Sequence, residues 1–186
     1  DLNKHAVKTS NSIAELYDSR DDIAVITRSV VSKVSFLNEY TDKEKDNLGK
    51  YSSNLFTLNT FYSSIKRTIK GNTPSDSTLS FLCKYWNCVA SNIIQWNELN
   101  KKEISKVDLR ENYIVTQGVV IQAIGQVGSY FINNSEINMY EILKGLRNID
   151  WRRSASIWKN RVIRADGKIL TSNKAILLAS NQIKKE

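Results

Sequence analysis

The chain has 186 residues, 41% hydrophobic and 25% charged, with a formal charge of +8. That length is enough to bury a core in one domain or a domain plus part of a neighbour, and the composition sits near the average for soluble globular proteins, which predicts one globular unit. No apolar run approaches the ~18 residues of a membrane span, so a transmembrane protein is excluded as well.

No signal peptide is visible and the chain begins at Asp1 rather than Met, which predicts a fragment of something longer, with an upstream portion missing. The only histidine, His5, lies in the short polar opening with Asn3 and Lys4. No second titratable partner is fixed beside it by sequence, so it reads as a satisfied surface or interface group rather than a catalytic base. A capping box starting at Ser19 precedes Ile23, Val25, Ile26, Val30 and Val31, whose spacing predicts an amphipathic helix to about Val34. Asn38 to Lys50 is charged without a clear period and reads as a surface loop or a frayed helix.

Leu55, Leu58, Phe61, Tyr62, Ile65 and Ile69 return to helical spacing, and Gly71 followed by Pro74 ends that helix. Lys66, Arg67 and Lys70 load its last turn, where they complement the helix dipole or touch DNA. Ser75 or Ser77 opens a longer helix whose stripe runs from Leu79 through Trp86 to Trp96 and reads as core. Cys83 and Cys88, five apart on that helix, point about 140° away from each other and match no zinc spacing; they read as two buried thiols. Asn97 to Lys106 reads as a loop at a helical turn. Val115 to Phe131 is apolar on more than one face and predicts a central buried helix. Its internal glycines cost about 1 kcal/mol each relative to alanine, which implies that neighbouring helices approach closely. Gly125-Gln-Val-Gly128 resembles the GXXG of RNA-binding KH modules, but its flanks are apolar and no lysine lies between the glycines. Met139 to Leu146 is one more short helix.

The charge excess is localised toward the C-terminus. From Lys144 to Lys185 there are eleven Lys or Arg against Asp150 and Asp166, while residues 1 to 143 hold sixteen side chains of each sign. Localised basic charge fits a phosphate backbone; a solvated basic surface that keeps the protein soluble is the alternative. Within the segment, Ser154 and Ser156 are helix-start residues, and Val162-Ile-Arg164, Asp166-Gly167 and Lys168-Ile-Leu170 predict a small β-hairpin. Thr171 or Ser172 then caps a final helix lined by Ile176, Leu177, Ala179, Ser180 and Ile183. Trp151 and Trp158 are seven apart and would share a face if the chain between them were helical. Burial as an anchor is the favoured role for that face, and stacking on unpaired bases the rival one. The fold class expected is mainly α, a helical bundle-like domain with a small β-hairpin near the C-terminus.

Several stretches carry a resemblance: Asp1-Leu-Asn-Lys-His-Ala-Val7, Leu16-Tyr-Asp-Ser-Arg-Asp21, Leu55-Phe-Thr-Leu58, Gln122-Ala-Ile-Gly125 with Val127-Gly128, Ile149-Asp-Trp-Arg-Arg153 and Trp158-Lys-Asn-Arg161. With these the chain resembles the DndB family of DNA sulfur (phosphorothioate) modification proteins, in the portion downstream of that family's DGQHR motif. The resemblance implies a tail of an upstream ParB- and sulfiredoxin-like domain in residues 1–35 and a helical DNA-binding domain in residues 36–186. It also implies a bacterial cytoplasmic regulator, a repressor of the modification genes, that is not itself the sulfur-transfer enzyme.

The expected partner is double-stranded DNA, with other proteins of the modification system or further copies of the chain as additional partners, and no membrane. The expected contacts are Arg152, Arg153, Lys159, Arg161, Arg164, Lys168 and Lys174. The rival reading makes the chain an accessory part of a nucleotide-hydrolysing or phosphate-transferring enzyme whose catalytic motif lies upstream, with Asn3, Lys4 and His5 at the rim of that site. No P-loop, HExxH or GxSxG signature and no metal-spaced Cys/His cluster occurs, so no autonomous active site, cofactor or metal is expected.

Overall fold

A computed structural model describes residues 11–186 and shows a mainly α architecture. Its ten helices among the described residues are α1 Asn11–Leu16, α2 Asp22–Lys33, α3 Ser35–Tyr40, α4 Leu58–Thr68, α5 Asp76–Asn92, α6 Ile94–Asn100, α7 Lys106–Asn112, α8 Gly118–Ile132, α9 Met139–Ile142 and α10 Asn173–Ile183. Two-residue strands β1 Thr41–Asp42 and β2 Phe56–Thr57 pair in parallel and pin the loop between α3 and α4. Among the described residues no helix is long and apolar enough to cross a membrane.

Helix α8 is the axis, packing chiefly on α4 on one side and α10 on another. The glycines of α8 explain how closely α4 comes. A Cβ on Gly125 would fall 2.4 Å from the carbonyl oxygen of Ser64, so only a glycine lets the two backbones meet. Three hydroxyls lock the same face: Ser64 donates to the Ile121 carbonyl (2.8 Å), Thr68 to Gly125 (2.8 Å) and Tyr85 to Ile124 (2.6 Å). Gly118, by contrast, starts the helix and has only ordinary contact with Thr60 at 3.9 Å. One continuous core includes Leu16, Val30, Trp86, Val120, Trp158 and Ile176. At its end near α3, Phe36 stacks on Trp96 with ring centres 4.5 Å apart.

Several local readings shift. Helix α2 is capped not by Ser19 but by Asp21, whose carboxylate accepts the amides of Ile23 (2.9 Å) and Ala24 (3.0 Å). Asp18 is spent on Arg20, closing the turn ahead of the cap. The helix that opens at Ser75, with a capping box to Thr78, does not run through to Trp96. It breaks at Ile93, and Asn97 satisfies the carbonyls of Ala90 (3.3 Å), Ser91 (3.2 Å) and Ile93 (3.0 Å) around the break. Both cysteines are free thiols; Cys88 is buried, but Cys83 is half-buried. Burial pushes both thiols up.

The β-hairpin reduces to a tight turn with one antiparallel bridge, Ile163 to Ile169. Gly167 sits at φ +82°, its amide donates to the Arg164 carbonyl (2.9 Å), and the Arg164 amide donates to Lys168 (2.8 Å). The strand cannot extend backwards, because the Trp158 carbonyl already accepts the amides of Arg161 (3.1 Å), Val162 (3.0 Å) and Ile163 (3.0 Å) and curls the chain into a loop. Ser156 does open a helix, a single 3-10 turn ending at Trp158, and Ser172 caps α10. Met139 to Leu146 splits into α9 and a 3-10 helix, Leu143–Asn148.

Candidate nucleic-acid interface

The basic segment is irregular backbone held in place from both ends. Trp151 and Trp158 are 1% and 0% exposed and stack at 5.5 Å with their planes 11° apart. The chain between them is not helical, so the shared face arises from the stack rather than from helical register. Each indole is also tethered through its nitrogen: Trp151 Nε1 donates to the Leu146 carbonyl (3.2 Å) and Trp158 Nε1 to the Asp150 carbonyl (2.6 Å). Buried indoles with satisfied N–H groups anchor well because neither the ring nor the nitrogen loses a partner on leaving water. A backbone strap completes the anchor. Ile114 N donates to the Trp151 carbonyl (3.0 Å), Arg153 N donates to the Asn112 carbonyl (2.8 Å), and Tyr113 bridges Arg152.

The seven candidate contacts divide by how their charged groups are already engaged. Lys159, Lys168 and Lys174 are exposed, and their ammonium groups make no ion pair or hydrogen bond with any described residue. Arg152 and Arg164 are exposed as well, but each grips a carboxylate two residues away: Arg152 holds Asp150 (Nη2 to Oδ2 2.5 Å) and Arg164 holds Asp166. Each side-chain hydrogen bond keeps its carboxyl below the usual range. Arg153 and Arg161 are half-buried braces. Arg153 reaches the Arg110 carbonyl (3.1 Å) and Arg161 the Ile157 carbonyl (2.7 Å). Asn3, Lys4 and His5 lie outside the described residues.

Sequence reasoning singled out no role for Arg110, and its importance is positional. Its guanidinium donates to the carbonyls of Lys50 (2.9 Å), Ser52 (2.5 Å) and Asn54, so it fixes the loop before β2, while its own carbonyl receives Arg153. Burial lowers its pKa. Nothing in the sequence pattern marks it, since its acceptors are backbone atoms about 60 residues away. Arg67, read at the end of its helix as a dipole partner or DNA contact, reaches Gln122 (3.1 Å) and Asn173 (2.6 Å). It thereby sets a second cation beside Lys174 at the start of α10.

Between the loop of Arg152 to Ser154 and helix α7 lies an open cleft of about 690 Å³. Asp108 and Glu111 of α7 line it together with Arg152 and Arg153, with Glu111 paired to Lys50 (2.6 Å) and Asp108 accepting from Ser105 Oγ (2.6 Å). That cleft is of mixed sign. Outside the cleft, Lys159, Lys168 and Lys174 stand exposed, and the exposed guanidinium of Arg164 is paired with Asp166.

Comparison with curated proteins and with solved structures returns no match. The sequence model of one family does cover the chain, over residues 1–186. The residues from Ile149 to Arg161 that build the anchored basic segment lie within that match, and the chain belongs to the DndB family, described as DNA-sulfur modification-associated.

Proposed function

We propose that this chain is a cytoplasmic, non-catalytic DNA-binding component of a phosphorothioate modification system that represses transcription of the modification genes, with duplex DNA as its partner. One observation carries the reading: the charge excess of the molecule lies between Lys144 and Lys185, the backbone in the middle of that stretch is pinned by two buried tryptophans and a strap, and Lys159, Lys168 and Lys174 are exposed and unpaired among the described residues. A pinned cationic loop meets phosphates in a fixed register without a large ordering cost. Arg152 and Arg164 join by exchanging an exposed carboxylate for a phosphate, a trade of similar hydrogen bonds that releases counterions from the DNA. Arg153 and Arg161 hold the loop rather than touch the strand.

The test is a salt titration of duplex binding. Affinity should fall steeply between low and high salt, with a log–log slope of about 0.9 per phosphate neutralised. The Lys159→Ala/Lys168→Ala/Lys174→Ala triple variant should lower that slope by about 3 while melting like the parent, because none of the three ammonium groups has a partner among the described residues. Binding that ignores salt, or a triple variant with the parent's slope, overturns the reading. The repressor role is read separately, as a tighter shift with the modification genes' own promoter than with an unrelated duplex of equal length.

A further inference from the structure

Helix α5 turns one face away from the core, and the segment formed by α9 and the 3-10 helix Leu143–Asn148 runs alongside it. Two open cavities, of about 630 and 410 Å³, lie in this groove and share Lys84 and Tyr140 as their common wall. The larger has a mixed lining: Phe81, Phe131, Ile132 and Ile137 supply apolar surface, and polar side chains that include Ser75 and Asn138 complete it. The smaller is lined by Lys84, Lys144 and Arg147 with neutral Asn87 and Ser91, and by no carboxylate.

The smaller chamber is built rather than incidental. Arg147 is an exposed residue whose Nε donates to Asn92 Oδ1 at 2.7 Å. Asn92 is 4% exposed and is itself fixed by donating from Nδ2 to the Cys88 carbonyl at 2.8 Å. The guanidinium is thus aimed from behind, and its two terminal nitrogens have no acceptor among the described residues. Lys84, exposed on α5, likewise has no ion pair or hydrogen-bond acceptor among them, and Lys144 is shared with Glu141 at the rim (2.8 Å). A preset guanidinium fork beside an uncompensated ammonium is the arrangement that recognises a phosphate. The adjoining chamber, within the size range of small-molecule sites, offers rings and aliphatic side chains beside hydroxyls and amides, a mixed lining that accommodates a planar ring with polar edges.

We propose that this two-chamber groove binds a nucleoside phosphate, with the phosphate between Lys84 and Arg147, the base in the chamber of Phe81 and Ile137, and Tyr140 beside the sugar. The site is separate from the residues assigned to duplex DNA, so either assignment can fail without the other.

Calorimetry on the full chain with ADP, GDP and pyrophosphate tests it. At least one nucleotide should bind. Lys84→Gln and Arg147→Gln should each weaken that binding by tenfold or more while both variants melt within a few degrees of the parent. Tyr140→Ala, at a half-exposed position, should weaken nucleotide binding several-fold and leave pyrophosphate unchanged. Arg147→Gln should bind duplex DNA as the parent does, and the triple lysine variant should keep its nucleotide affinity. The proposal is overturned if the parent binds neither nucleotide, if the Lys84 and Arg147 variants bind as tightly as the parent, or if pyrophosphate binds as tightly as the nucleotides. Displacement of the nucleotide by duplex DNA also overturns it, because the groove would then belong to the strand.

Discussion

Gly125→Ala destabilises the protein by about 3 kcal/mol or more, at the upper end for overpacking, because the atom in the way is backbone and cannot swing aside. Two arguments of opposite sign meet at this residue. Helix propensity alone makes alanine about 1 kcal/mol better than glycine inside a helix. Packing opposes this: the new Cβ would stand 2.2 Å from Ser64 Oγ and 2.4 Å from the Ser64 carbonyl oxygen, so α4 and α8 must part. Parting them also strains the hydroxyl bonds from Ser64 and Thr68 into α8. A urea titration reads the result as a lower midpoint at unchanged slope. Gly49→Ala is the control, since a Cβ there meets nothing within 4 Å, and it should leave stability equal or slightly raised. A Gly125→Ala variant as stable as the parent would show that the two helices do not approach as described.

Trp158→Ala comes next in size, with an expected loss of about 3 to 5 kcal/mol for a large buried ring. The ring is fully buried, stacks on Trp151, and leaves the Asp150 carbonyl without its indole donor when removed. Trp151→Ala falls in the same range, and the double variant costs less than the sum of the two, because each ring is part of the other's packing. Trp158→Phe separates the contributions: it keeps most of the apolar area and loses the hydrogen bond, at about 1 to 3 kcal/mol for the unpaired carbonyl. Thermal or urea melts of the four proteins give these numbers. Melts identical to the parent, together with lost binding to single-stranded DNA, would make the indoles contacts and refute the anchor.

The long helices were legible because a three-and-four spacing of Leu58, Phe61 and Ile65, or of Leu82, Trp86 and Val89, leaves little choice of period. The close approach at α8 was legible for the same reason: a glycine inside an apolar helix needs a packing cause, and Gly125 has one. The break at Ile93 was not, because the apolar stripe continues through it and the compensation is made by one amide, Asn97, that looks like any polar surface residue. In the basic segment the sequence shows where the cations are but not how each is used. That Arg153 and Arg161 are spent on carbonyls depends on loop geometry. The pairing of Arg152 and Arg164 does have a sequence signal, a carboxylate two residues away, and Asp18 with Arg20 repeats it. The tryptophans are buried as expected, yet through a stack across irregular chain, which no periodicity argument reaches.

The three hydroxyls that Ser64, Thr68 and Tyr85 plant on the carbonyls of Ile121, Gly125 and Ile124 set an order of opening for the molecule. A helix frays when its carbonyls can turn to water, and these three are covered by side chains from two other helices, one of them a fully buried tyrosine. The α8 amides one turn on, from Gly125 to Ser129, can then exchange their hydrogens for deuterium only when α4, α5 and α8 come apart together. Exchange there reports the global free energy of unfolding, while the amides of the turn from Arg164 to Lys168, exposed and held by a few local bonds, exchange through small local openings.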